Sequence, residues 1–137
     1  MSLENLEKIS KLKAEPPDAR EIGYMINAAV RKLQDSCNSG VSFDGRFELA
    51  YSAAHSLALA ALRLHGYRSD QRYIVFQCLA HTVGIDAVKV REFGNYHRKR
   101  NLAEYEGGFD PDEQLLAELI LNTQLLMRKV MALVKKQ

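Results

Sequence analysis

The sequence predicts an all-α fold, a single-domain helical bundle of about five helices over residues 1–137. Three observations lead to this prediction. Glycine and proline number only 8 and 3, and β-branched residues are sparse, which disfavours a β-sandwich or barrel. Apolar residues recur at a spacing of three and four along most of the chain, which is the helical period. The 137 residues, of which 47% are hydrophobic, are also enough to bury a core without disulfides.

The first half of the chain contains three predicted helices. A short amphipathic helix is expected over Ser2–Lys13, because leucine or isoleucine stands at every third position. Asp18 and Glu21 have the spacing of a capping box, so a second helix is expected to begin there and to end near Cys37. The third helix, over about Asp44–Leu64, is alanine-rich and apolar on nearly all sides, which is typical of a buried central helix.

The second half contains the remaining predicted helices. Capping residues and apolar spacing predict a fourth helix over about 69–81 and a fifth over about Asp86–Tyr105. The last helix is expected to start at Asp110, because Pro111 suits the first helical position and Glu113 stands three residues after the cap. The connections are short, as in a helical bundle.

Composition excludes several classes of protein. With 47% hydrophobic and 26% charged residues, the chain is not intrinsically disordered. It contains no apolar run long enough for a transmembrane helix, so no membrane association is expected. Glu4 and Glu7 stand where a secretory signal would be apolar, and two cysteines cannot form a disulfide scaffold, so a cytoplasmic location is expected. No metal-ligand spacing and no phosphate-binding glycine loop occur, so we expect no metal and no cofactor.

The most informative segment lies at the end of the predicted fifth helix. Residues 89–100 contain five Lys or Arg and one acid, whereas residues 104–118 contain six acids and no Lys or Arg. One interpretation is that these charges complement the dipoles of a helix end and of the next helix start. The other is a phosphate-binding patch, since arginine offers a planar fork that matches phosphate. The candidate phosphate-binding residues are Arg91, Arg98, Lys99 and Arg100.

The same segment carries the candidate catalytic residues. His97, Asn101 and Tyr105 follow one another at four-residue spacing, so they share one helical face. Arg100 and Glu104 flank this stripe. An imidazole, an amide, a phenol, a guanidinium and a carboxylate therefore lie close together, and these are groups that bind phosphate or transfer protons.

At this point the chain resembles the HEPN domain family. The resemblance covers about Arg46–Lys135 and rests on Arg46–His55, on Ala58–Arg68, on Arg98–Tyr105 and on the last apolar helix. HEPN domains are small helical bundles, often dimeric, of prokaryotic toxin–antitoxin and defence systems, and many pair with a minimal nucleotidyltransferase. The resemblance implies a four-helix up-down core, a homodimer, and RNA, a nucleotide or a nucleotidyltransferase as partner.

The chain departs from the family signature, which is Arg, a polar residue, a short gap and His. Arg100 and Asn101 match its start, but Tyr105 stands at the usual His position. In ribonuclease members this Arg and His meet across the dimer and cleave RNA without metal. A phenol of pKa about 10 is only about 0.1% ionised at pH 7 and is a poor general base. The first hypothesis is therefore a non-catalytic dimeric HEPN-like module that binds its partner through the basic Arg-Asn helix.

Two alternatives remain open. One is a metal-independent endoribonuclease, in which Arg100 stabilises the phosphorane, His97 or Glu104 is the general base and Asn101 orients the substrate. In this reading Arg91 and His97 also fit the loose spacing of the family signature. The other is a scaffold whose basic helix docks an acidic protein surface, such as residues 106–118 of a second copy.

Two further polar residues lie on the predicted third helix. Tyr51 is expected to pack in the core or at an interface with its hydroxyl partnered. His55 is expected to be a packed histidine with a hydrogen bond, or to face the Arg-Asn helix and share its site.

Overall fold

The computed structural model describes residues 2–136, which form helices and one short pair of strands. The described residues form an all-α bundle, which confirms the fold class predicted from the sequence. None of the described helices is both long and apolar enough to cross a membrane. The elements in chain order are α1 (Leu3–Lys8), β1 (Lys13–Ala14), α2 (Ala19–Ser36), α3 (Phe43–Leu64), β2 (Tyr67–Arg68), α4 (Arg72–Gln77), α5 (Leu79–Thr82), α6 (Ala87–Glu106) and α7 (Glu113–Lys135).

Helix α3 is the centre of the bundle. It packs most extensively against α2 and α7, and it also contacts α4, α5 and α6. Small side chains let these neighbours approach α3 closely. The prediction of a buried, alanine-rich central helix is confirmed, because its fully buried positions include Phe47, Ala50, Tyr51, Ala53, Ala54, Leu57, Ala60, Ala61 and Leu62.

Local capping signals account for most of the helix starts. Asp18 caps α2 as predicted, with Oδ1 accepting hydrogen bonds from the backbone nitrogens of Arg20 at 3.0 Å and Glu21 at 3.2 Å. Asp86 caps α6 in the same way, 2.9 Å from the nitrogen of Lys89. Gly107 ends α6 with a φ of 90°, a left-handed conformation that glycine adopts without a Cβ clash.

Three predicted boundaries were wrong. The first helix ends at Lys8 rather than Lys13, because Lys13 and Ala14 pair antiparallel with β2 instead. The fourth helix is interrupted at Cys78, so α4 and α5 replace one continuous helix. The cap of α7 is Asp112 and not Asp110, because it is Asp112 whose Oδ1 accepts from the first-turn nitrogen of Leu115 at 3.0 Å.

A buried arginine fastens the N-terminal segment to α3. The side chain of Arg63 is 1% exposed, and its Nε donates to Glu21 Oε1 at 2.7 Å. Its Nη1 and Nη2 donate to the backbone oxygens of Glu15 at 2.9 Å and Pro16 at 2.8 Å. Hydrogen bonding by Arg63 lowers the pKa of Glu21, which keeps this carboxylate ionised. A buried charge is tolerated here because carboxylate and carbonyl oxygens satisfy it.

Candidate functional site

The candidate site lies where α4 and α6 meet a partly exposed face of α3. Glu48, Ser52 and His55 are spaced by four and three residues, so they share this face, and all three are partly exposed. The side chains that converge here are named the α3–α6 cluster, which comprises Glu48, Tyr51, His55, Arg72, His97, Arg100, Asn101 and Glu104.

His97 is held between a buried phenol and an amide. Its Nδ1 lies 2.7 Å from the hydroxyl oxygen of Tyr51, which is fully buried on α3. Its Nε2 lies 3.2 Å from Nδ2 of Asn101. When this amide donates to Nε2, the ring proton is on Nδ1 and is donated to Tyr51. His97 and Asn101 therefore share one face of α6, as their spacing predicts, and Tyr51 contacts His97 from α3.

Arg100 is held by side chains only. Its Nε lies 3.0 Å from Glu48 Oε1, and its Nη1 lies 3.0 Å from Glu104 Oε2. The guanidinium also lies over the ring of Tyr51, 5.6 Å from the centroid. Arg100 is 19% exposed, whereas Glu48 and Glu104 are 45% and 65% exposed. Such exposed carboxylates can rotate away at little cost, so another anion can replace them at Arg100.

Arg72 belongs to the site and was missed by the sequence analysis. It lies on the short helix α4, and its guanidinium is 5.7 Å from the ring centroid of Tyr51. Within residues 2–136 it forms no ion pair. No local signal marks this arginine, because α4 reaches Tyr51 only through tertiary packing.

The cluster holds two imidazoles in their neutral form. Burial lowers the pKa of His55 to about 4, and the charge of Arg72 acts in the same direction. Burial also lowers the pKa of His97, and Arg72, Arg100 and Arg98 add to this shift. Both rings are therefore uncharged at pH 7, with one ring nitrogen of each free of a proton. His55 packs edge-on against Phe76, as predicted for a packed histidine, but the hydrogen bond predicted for its ring is not found within residues 2–136.

The other predicted site residues are separated from the cluster. Tyr105 is 91% exposed and forms no hydrogen bond through its hydroxyl with the residues that the structure describes. Arg91 and Arg98 line a cavity of about 190 Å³ between α4 and α6. Lys99 lines a different cavity of about 510 Å³ at the α6–α7 connection, together with acids that include Glu106. The basic residues of α6 outside the cluster therefore lie on two separate surfaces, at the cavity between α4 and α6 and at the cavity of the α6–α7 connection, and not on one continuous patch.

No metal-binding group is found within residues 2–136, since no three His, Cys, Asp or Glu side chains converge there. Burial raises the pKa of Cys78 to about 11, so this thiol is protonated at neutral pH. Cys37 is exposed and unpaired among the described residues. The polar chemistry of the site is therefore that of imidazole, phenol, guanidinium, amide and carboxylate.

Comparison of the chain with protein-family models, with curated proteins and with solved structures found no match. The functional assignment consequently rests on the residues of the α3–α6 cluster and on the surface around it.

Proposed function

We propose that this protein binds single-stranded RNA through the α3–α6 cluster and the adjoining basic surface of α6. The observation that carries the proposal is electrostatic. The guanidinium groups of Arg72 and Arg100 lie 5.7 Å and 5.6 Å from the ring centroid of Tyr51, and within residues 2–136 Arg72 forms no ion pair. Two guanidinium groups at one ring concentrate positive charge, and phosphate is the anion that guanidinium groups bind in bidentate geometry.

Single-stranded RNA fits this site better than a free anion or a duplex. Single strands are bound by arginines beside aromatic rings, because unpaired bases stack on those rings. The site has both, since the half-exposed Tyr73 lies next to His97 with 6.2 Å between the ring centroids. The net charge of +2 is small, so this argument depends on a local concentration of cations and not on the charge of the whole chain.

The proposal includes an HEPN-like homodimer formed through α6. What supports it is the all-α bundle, the basic α6 and two exposed apolar side chains on that helix, Leu102 at 54% and Tyr105 at 91% exposure. Sedimentation of the wild type and of a double Leu102→Asp, Tyr105→Asp variant tests it, with a dimer expected for the first and a monomer for the second. A role in toxin–antitoxin or defence systems, and a nucleotidyltransferase partner, rest on the family resemblance alone.

The RNA-binding proposal is tested by fluorescence anisotropy with a labelled single-stranded oligoribonucleotide. Arg72→Gln is expected to weaken binding about tenfold, because a hydrogen-bonded charge is lost. The slope of log affinity against log salt is expected to fall in magnitude by about 0.7, the value for one phosphate contact on a single strand. Arg128→Gln is the matched control, since Arg128 is exposed on α7. Salt-independent binding, or wild-type affinity in Arg72→Gln, would contradict the proposal.

A second candidate function is metal-independent RNA cleavage, and the contacts of His97 favour it. A neutral imidazole can accept the proton of a ribose 2′-hydroxyl while that oxygen attacks phosphorus and the P–O5′ bond breaks, the leaving 5′-oxygen taking a proton from water. Arg100, three residues after His97 on α6, would stabilise the phosphorane charge, and Asn101 would orient the ribose after releasing Nε2. Glu104 is the alternative base, but its carboxylate pairs with Arg100.

Cleavage is tested with the wild type, Arg100→Ala and His97→Ala in the presence of EDTA. A nuclease is expected to lose its activity in both variants. RNA that the wild type leaves intact, while a catalytic HEPN protein cuts it in parallel, would contradict the enzyme and leave the binding function.

A further inference from the structure

The cavity between α4 and α6 lies beside the cluster and shares Tyr73 with the proposed RNA-binding surface. Its floor and walls are aromatic, aliphatic or bare backbone, from Tyr73, Phe76, Val90 and Gly94. Its polar rim is formed by Arg91, Arg98 and Gln77. We propose that this cavity receives one unpaired pyrimidine base of a bound RNA strand, while Arg91 and Arg98 hold the flanking phosphates. This inference rests on the proposed RNA binding and names the base that one part of the surface selects.

The size of the cavity selects a single ring. Its volume is about 190 Å³. A dry protein cavity of about 150 Å³ is sufficient for benzene, whereas pockets for drug-sized ligands occupy about 300–1,000 Å³. The cavity therefore fits a six-membered ring with its substituents but not a whole nucleotide. Ribose and phosphate must remain outside, at the rim.

The lining provides a surface for stacking. Tyr73 is 42% exposed, so one part of its ring is open to a ligand, whereas Phe76 is 1% exposed and closes the floor. Gly94 lies opposite, and a Cβ at this position would be 3.4 Å from Cε1 of Tyr73. Any longer side chain at residue 94 would enter the space beside the tyrosine ring. Glycine in the interior of α6 thus lets the Tyr73 ring pack close to the helix backbone at the edge of the cavity, despite its cost to the helix of about 1 kcal/mol.

The two arginines stand where flanking phosphates would lie. Arg91 and Arg98 are seven residues apart, which is two turns of helix and about 10 Å along its axis, on one face. Both are exposed. Within residues 2–136, Arg91 forms no ion pair, and Arg98 has only a long contact of 3.4 Å to Oδ1 of Asn95. Their charges are therefore uncompensated and remain available to a ligand.

Gln77 provides the polar group that a base edge requires. Its side-chain amide carries both a donor and an acceptor, and it stands at the rim of the cavity in an exposed position. Uracil and cytosine both present donors and acceptors on their Watson–Crick edges, which is the edge that proteins contact in unpaired RNA. Tyr73 separates this cavity from His97, so a strand whose base enters the cavity also passes the α3–α6 cluster.

The test compares strands of one length that differ only in their bases. Labelled oligouridylate, oligoadenylate and an abasic ribose-phosphate strand are titrated into the wild type, Tyr73→Ala and Tyr73→Phe. The wild type is expected to bind oligouridylate at least about fivefold more tightly than the abasic strand, the lower limit for stacking of one base. Tyr73→Phe should keep this preference and Tyr73→Ala should lose it. Tyr24→Ala is the matched control, because Tyr24 is an exposed tyrosine on α2.

Two results would overturn the inference while RNA binding itself stands. One is an unchanged preference for oligouridylate in Tyr73→Ala, provided that its circular dichroism matches the wild type. The other is equal affinity for oligoadenylate, which would contradict the size argument. If the wild type binds no strand at all, the proposed function fails. A separate titration with uridine monophosphate then tests whether the cavity binds a base. A shift of the Gly94 amide resonance would support a base site, and an unshifted resonance would exclude it.

Discussion

Arg63 and Arg100 are both partly or fully buried and both pair with glutamates, yet their surroundings differ. Arg63 is 1% exposed and donates to backbone oxygens as well as to Glu21. Arg100 is 19% exposed, and its partners Glu48 and Glu104 are side chains that are 45% and 65% exposed to solvent. Backbone oxygens cannot leave Arg63 without unfolding the segment that carries them. The carboxylates that hold Arg100 can rotate away, so a ligand can replace them. A ligand cannot replace the backbone oxygens that hold Arg63.

The groups that hold an arginine separate a contribution to the fold from the binding role proposed for Arg100. An arginine whose donors end on backbone oxygens contributes to the fold, because its contacts form once and persist. An arginine that is held by exposed carboxylates is neutralised in the free protein but remains open to phosphate. The following experiments separate the two roles, and matched substitutions to methionine keep the aliphatic length in both cases.

The largest effect is expected for Arg63→Met. This substitution leaves the backbone oxygens of Glu15 and Pro16 without their buried donor, whereas Glu21 keeps Arg68 at 2.7 Å. Each acceptor left unsatisfied costs about 1–3 kcal/mol, so the free energy of unfolding in urea should fall by about 2–5 kcal/mol. Arg20→Met is the control, since Arg20 is exposed on α2. A loss below about 1 kcal/mol would remove the distinction drawn between the two arginines.

As the pH falls, protonation of His55 in the α3–α6 cluster is expected to lower the free energy of unfolding before the Arg63 contacts are weakened. The pKa of His55 is lowered to about 4 in the folded protein, against about 6.5 in the unfolded chain, so the unfolded state binds more protons between these values. The contribution that neutral His55 makes to the free energy of unfolding is complete above pH 6.5 and is lost as the pH falls towards 4. At pH 5 the loss is about 2 kcal/mol relative to pH 7.5.

Urea denaturation of the wild type and His55→Gln at pH 7.5 and pH 5 measures this difference. His55→Gln should lose most of the pH dependence, whereas His81→Gln, at an exposed position on α5, should keep it. The same slope in His55→Gln as in the wild type would show that other groups cause it. The contacts of Glu21 act in a lower range, because its pKa is lowered and its ion pair persists until a carboxylate can be protonated.

The fold could be predicted from the sequence wherever the signal is local. Asp18 caps α2 because its carboxylate reaches backbone nitrogens two and three residues ahead, and sequence spacing contains that information. The pairing of Lys13 with Arg68 joins residues far apart in sequence, so no local pattern predicts β1 and β2. Apolar spacing continues through Cys78, so it does not predict the interruption between α4 and α5.

The candidate site could be predicted only in part, for the same physical reason. Helical spacing placed His97 and Asn101 side by side, and they are hydrogen-bonded. Tyr105 shares their spacing but is 91% exposed, so spacing along α6 alone does not place it in the cluster. Tyr51 and Arg72 reach His97 from two other helices, and only the folded chain brings them there.

Arg100→Met is expected to change stability little and RNA binding more. Exposed ion pairs contribute about 0–1 kcal/mol, so the free energy of unfolding should fall by about 1 kcal/mol or less. In the anisotropy assay the salt slope should fall in magnitude by about 0.7. A loss of stability as large as that of Arg63→Met, with unchanged RNA binding, would assign Arg100 to the fold instead.

The smallest effect is expected for Glu104→Gln. This change removes one negative charge that competes with phosphate at Arg100, so RNA affinity should rise about two- to threefold at low salt. Glu7→Gln on α1 makes the same change in net charge at an exposed position and is the control. If RNA affinity rises equally in both variants, the change in net charge is the cause. If Glu104→Gln binds more weakly, Glu104 contributes to the site directly.

The contacts of Arg63 also determine how the chain tolerates trimming at its start. Residues 15 and 16 supply two of the oxygens around the guanidinium, and β1 ends directly before them. Proteolytic removal of this segment would therefore uncover a charge in the central helix, rather than shorten a dispensable end. Cleavage near residues 10–17 is expected to be slow in the native state and to be followed by digestion of the whole bundle.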